Sequence, residues 1–100
     1  KYMTIRLSLA QTRPNLDVEF HTATDNFKAV KTSMVDAGTL VDQGGSNDET
    51  GLIRTWNLDF DTEGSLLAFD SNVTVKLYGN NRKAYNDSNG IIETKSTTEI

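Results

Sequence analysis

The stretch LIRTWNLDF, residues 52–60, constrains this chain more than any other: it alternates as a β-strand must and carries the single tryptophan. Strand side chains point to opposite faces with period two, so Leu52, Trp56, Leu58 and Phe60 share one face and Ile53, Thr55, Asn57 and Asp59 the other. Arg54 interrupts the apolar face. An apolar strand face needs a covering layer, and the rest of the chain must supply it.

The first candidate neighbour is residues 4–10, where Ile5, Leu7 and Leu9 alternate with Thr4, Arg6 and Ser8, the pattern of a strand with one face on a core. Pro14 pushes Arg13 towards an extended conformation, so this strand should end near Thr12, with a short extended piece at Val18 and Phe20. From Asp25 to Ala37 the period changes. Phe27, Val30, Met34 and Ala37 recur at spacings of three and four, which predicts an amphipathic helix capped by Thr24 or Asp25 and closed at Gly38. Its expected task is to cover the sheet. Residues 39–43 read as a second strand, and GGSNDETG as a polar turn into the central strand, so the two form an antiparallel hairpin. Those glycines do not make a phosphate loop, since the lysine and hydroxyl of that motif are missing and a strand follows where a helix should.

After Phe60, Asp61 or Thr62 can cap a short helix that places Leu66, Leu67 and Phe69 on about one turn. Asp70, Ser71 or Asn72 can cap another, with Val73, Leu77, Ala84 and Tyr85 on one face, Tyr78 flanking it, and Asn89-Gly90 as its end. Residues 73–78 are contested. Val73, Val75 and Leu77 also alternate as in a strand, and Gly79 weakens a helix interior by about 1 kcal/mol relative to Ala. Residues 91–97 are the last strand.

The order of elements decides the contested segment. Two strand–helix–strand halves predict an α+β, ferredoxin-like βαββαβ sandwich: one domain over residues 1–100, with an antiparallel four-stranded sheet and two helical segments on one face. The first and third strands, the most apolar, should be central. The rival is an all-β domain in which residues 73–78 form a strand, and a circular dichroism spectrum without helix would favour it.

One hundred residues suffice for a single modest core, burying roughly 60–68% of the unfolded surface. Fourteen acidic against ten basic residues, with no cationic cluster, leave no footprint for a phosphate backbone, so no nucleic-acid partner is expected. No apolar run reaches the length of a membrane span and the first residues lack a secretory pattern, so no membrane partner is expected and the expected location is cytoplasmic, not secreted. The absence of cysteine removes disulfides, thiolate metal sites and cysteine nucleophiles. Lys1 and Tyr2, which precede Met3, carry no weight.

Three short motifs, Arg13-Pro14-Asn15, Gly38-Thr39-Leu40-Val41 and the run from Ala84 to Ile91 (AYNDSNGI), resemble short uncharacterised proteins of marine bacteriophages and marine metagenomes. The element order is also similar to the dimeric α+β barrel superfamily, ferredoxin-like protomers that pair sheet to sheet and include stress-response proteins and cofactor-independent monooxygenases. This resemblance implies a homodimer, and a location in host cytoplasm or virion if the chain is phage-encoded. It transfers no activity, since such folds host many unrelated functions.

Candidate chemistry is sparse. His21, the lone histidine, has no cysteine, second histidine or carboxylate pair nearby in sequence, so a structural role is expected, with no metal and no cofactor. Monooxygenases of the barrel superfamily can use an asparagine and a tryptophan near substrate, but Asn57 and Trp56 are adjacent on a strand and face opposite ways, which makes Trp56 a core residue. Asp59, Asp61 and Glu63 supply carboxylates without a metal-loop pattern. The sequons at Asn72 and Asn86 lack a secretory context. What remains is the open sheet face, where Arg6, Thr55, Asn57 and Asp59 are the candidate ligand-binding residues and Arg6 and Asp59 can pair across strands. The reading is a small non-enzymatic homodimer, as a phage accessory or virion component, associating through its sheet face or outer strand edges. The alternative is a small-molecule binder or cofactor-independent oxygenase whose ligand lies in the dimer cavity.

Overall fold

A computed structural model describes residues 4–100. The elements run β1 (Ile5–Thr12), α1 (Asp25–Asp36), β2 (Leu40–Asn47), β3 (Ile53–Phe60), α2 (Glu63–Ser71), α3 (Val73–Asn89) and β4 (Ile92–Glu99). The four strands form one antiparallel sheet in the order β2-β3-β1-β4, so the two strands with the cleanest alternation are central. The fold is α+β and compatible with the ferredoxin-like plan, with the second helical segment divided into the two separately capped helices α2 and α3.

All three helices cover the face that Leu58 and Phe60 share. Ile5 and Leu7 of β1 stand opposite Phe60 and Leu58, and these four close on Leu40, Phe27, Leu66, Phe69 and Tyr78. Phe60 is fully buried, a burial that stabilises by about 2–3 kcal/mol. The roof is aromatic: Phe27 of α1 stacks on Tyr78 of α3 with centroids 4.0 Å apart and meets Phe69 of α2 edge-on at 5.9 Å.

Local signals set the helix ends. Thr24 caps α1, its hydroxyl accepting from the Phe27 amide, and Gly38 follows with a left-handed φ of 79°. Asn72 divides the long crossover into α2 and α3. Its extended backbone ends one helix, and its side-chain oxygen accepts from the Thr74 and Val75 amides that start the next. The contested residues 73–78 are therefore helical, because a cap precedes them and α1 offers an aromatic surface to pack on.

Three expectations need correction. Residues 18 and 20 form no strand; Arg13 instead pins this loop by donating to the Gly51 and Val18 carbonyls. β2 does not stop at Gln43 but continues to Asn47, because a bulge sets Gln43 and Gly44 against Asn57, and Gly44 takes the positive φ of 76° this needs. The buried face of α3 is not the one through Val73 and Leu77, which are 71% and 58% exposed; Tyr78 and Asn86 are buried in their place. Tyr78 sets that rotation by inserting beneath Phe27.

Candidate functional site

The uncovered face of the sheet brings the four sequence candidates close together. Arg6 and Asp59 are register partners on β1 and β3, as are Ser8 and Asn57, while Thr55 stands opposite Ala10 on β1 and Ser46 on β2. The Arg6 guanidinium grips Asp59 with two bonds, Nε to Oδ1 at 2.8 Å and Nη2 to Oδ2 at 2.9 Å. Gln43, turned by the bulge, adds a third donor at 3.0 Å. Beside this pair the Ser8 hydroxyl donates to Asn57 Oδ1 at 2.6 Å.

These bonds decide the electrostatics. The hydrogen bonds from Arg6 hold the Asp59 carboxyl below its ordinary range against the opposing cost of desolvation, with Gln43 adding to the effect. The same pair raises the Arg6 pKa. A carboxylate so held is ionised, occupied by three donors and 7% exposed, which suits it neither as a general base nor as an open metal ligand. Arg6 and Asp59 are the charged strand residues on this face, and their charges cancel.

The remaining candidates lie elsewhere. Trp56 points to the helix-covered side, opposite to Asn57, where it is partly buried at the margin of the core. Its indole donates to Asp42 Oδ1 at 3.2 Å, and Lys31 Nζ sits 4.1 Å over its ring while bonding Asp42 Oδ2 at 3.0 Å. Burial pushes the Asp42 carboxyl up, but bonds from Lys31, the Gly44 amide and Trp56 outweigh it and leave the pKa lowered. His21 is wedged between the rings of Tyr78 and Tyr85 at 5.3 and 5.2 Å; burial, with Arg82 adding, lowers its pKa and favours neutral imidazole. Asp61 accepts from Ser65 in the first turn of α2, where Glu63 also sits, so neither joins Asp59 in a cluster. Asn86 of the second sequon is buried and Asn72 of the first is the α3 cap.

Sequence reasoning missed a cleft on the other side of the sheet. By register, the β4 residues facing the helices are Glu93, Lys95, Thr97 and Glu99. With no apolar side chain there, α3 has nothing to seal against, and a cleft of about 470 Å³ stays open. Leu7, Leu9 and Leu58 line it on the sheet side, Gly79 on the α3 side, with Lys76 and Lys95 also in its wall. A second cavity of about 20 Å³, lined by Gln11, Trp56 and Tyr78, shares Leu9, Phe27, Leu58 and Arg82 with the cleft. Two signals could have exposed it: an all-polar β4 alternation and a glycine inside a helix.

Comparison with protein-family models, with curated proteins and with solved structures yields no match.

Proposed function

We propose that this chain is a non-catalytic association module that pairs with a second copy through the open face of its sheet. The observation that carries the reading is the neutrality of that face in a chain of net charge −4: Arg6 and Asp59 cancel, Ser8 and Asn57 bond each other, and Val41, Ile53 and Ile92 remain exposed there. Two copies would approach with least repulsion along it. The pairing is that of a dimeric α+β barrel, sheet against sheet. A place as a bacteriophage accessory or virion protein rests on the motif resemblance alone.

Four strands spaced by 4.8 Å, eight residues long at 3.3 Å per residue, cover about 500 Å² per copy, or about 1,000 Å² for the pair, the lower limit for a specific interface. The dimer should therefore be weak and concentration-dependent. Sedimentation velocity over a dilution series tests this. A dimer that dissociates in the micromolar range, and that Thr55→Arg abolishes while the circular dichroism spectrum is kept, is the expected result. A monomer up to about 1 mM, a concentration matching only about 4 kcal/mol of association, overturns the reading. The rival, a ligand or oxygenase cavity between the sheets, requires Arg6 and Asn57 to give up their present partners for a ligand. It gains if Arg6→Ala or Asn57→Ala leaves the dimer intact and removes ligand binding.

A further inference from the structure

Gly79 is a cost without a local return. It lies inside α3, where glycine destabilises relative to alanine, yet its φ is not positive and a Cβ built on it meets no atom within 4 Å. Neither a turn nor a close backbone approach requires it. What the missing side chain does is widen the cleft between α3 and the sheet.

Tyr78, the next residue, supplies a second and independent anomaly. It is 3% exposed, lines the inner cavity, and its hydroxyl has no hydrogen-bond partner among the described residues. A buried phenol normally finds a partner, since leaving one unmade costs free energy. Arg82, whose guanidinium lies 5.3 Å from the ring centroid, opposes the effect of burial through its charge and its approach to the hydroxyl, but burial dominates and leaves the pKa raised. The hydroxyl therefore keeps its proton at neutral pH and has no acceptor for it among the described residues. Of the polar side chains lining that cavity, Arg54 and Arg82 can only donate, while Gln11 spends its amide nitrogen on Glu93. Arg82 engages Glu93 through Nε and Nη2, leaving Nη1 outside that pair; Arg54 has no ion-pair partner among the described residues and lies against the Trp56 ring. Glu93 offsets one of the two guanidinium charges. At the other end, Lys76 has no ion-pair partner among the described residues, and Lys95 pairs loosely, at 3.9 Å, with Asp70, the carboxylate of the cleft wall, so these three side chains leave one net positive charge there.

We infer that the cleft binds an anionic amphiphile, a monocarboxylate with an extended apolar tail. The carboxylate reaches the junction of the two cavities, accepting from Tyr78 and Arg82, and the tail lies over Leu7, Leu9 and Leu58 in the space that Gly79 leaves open. The aliphatic stems of Lys76 and Lys95 cover the tail while their ammonium groups add to the local positive field. The cleft volume falls within the range of ligand sites, and the site lies on the opposite side of the sheet from the proposed dimer face.

Decanoate is the probe, followed by calorimetry and by the fluorescence of Trp56, which lines the inner cavity. Saturable binding below the micellar concentration is expected. Tyr78→Phe should weaken it about tenfold, the scale of one lost hydrogen bond to a charged group, without loss of fold. Gly79→Leu should abolish it by filling the cleft. Should that variant fail to fold, the exposed double substitution Lys76→Gln with Lys95→Gln should lower affinity severalfold and flatten its salt dependence. Decylamine, with the same tail and opposite charge, should not bind. Absence of saturable heat and fluorescence change, equal binding of decylamine, or a folded Gly79→Leu protein that binds decanoate normally would each overturn the inference.

Discussion

At the scale of single residues, the open face is governed by one ion pair whose partners are unequally exposed. The Arg6 side chain is 36% accessible and that of Asp59 8%, so the pair lies between the exposed and buried limits. Arg6→Met should lower the urea midpoint of unfolding, and by less than the loss of a fully buried pair would, because Gln43 still serves Asp59. His21 gives a pH signature. Its folded pKa lies below the ordinary 6.5, so below that pH the unfolded chain takes up a proton that the native state resists. Its contribution is whole above 6.5 and is lost as pH falls through the folded value. A second decline follows below the ordinary carboxylate pKa of 3.8, as Asp59 and Asp42 are protonated. Thermal melts between pH 4 and 8 should show the first decline in the parent protein and not in His21→Phe.

At the scale of elements, the long crossover is held in two pieces by one residue. Asn72→Ala removes the acceptor for the Thr74 and Val75 amides and should cost about 1 kcal/mol, read as a lower melting temperature and reduced helical ellipticity. Gly79→Ala acts in the opposite sense. The new methyl group meets nothing within 4 Å and the backbone there is already helical, so the substitution should raise stability by about 0.5–1 kcal/mol. The two edge strands differ in kind. β2 carries the Gly44 bulge, which twists an edge away from further pairing, whereas β4 runs without a register shift from Ile92 to Glu99.

At the scale of the whole molecule, the sheet separates two surfaces of different chemistry. One face is neutral and internally hydrogen-bonded; the other is covered by helices that close over β3 but leave a cleft beside β4. This separation predicts that the two proposed activities are independent. Thr55→Arg should abolish self-association and leave decanoate affinity unchanged, while Tyr78→Phe should weaken decanoate and leave the sedimentation profile unchanged. Cross-effects in both directions would mean that one surface, not two, carries the function.

Outside residues 18–20 and the locally ambiguous residues 73–78, the sequence by itself determined the type and order of the elements and the choice of central strands. Those follow from periods of two and between three and four, set by neighbours a few bonds apart: Ile5, Leu7, Leu58 and Phe60 announce their shared face before any contact is known. The Arg6–Asp59 pair was legible for the same reason, since opposite charges at matching positions of two central strands meet once those strands pair. The tertiary structure decided the rest. Whether α3 buries Leu77 or Tyr78 depends on how Phe27 stacks from another helix, and whether Gly44 ends a strand or bulges within it depends on β3 alongside. The cleft was the least legible feature. It exists because a polar strand face and a helical glycine, each unremarkable in its own segment, are brought opposite one another by chain pairing between residues far apart in sequence.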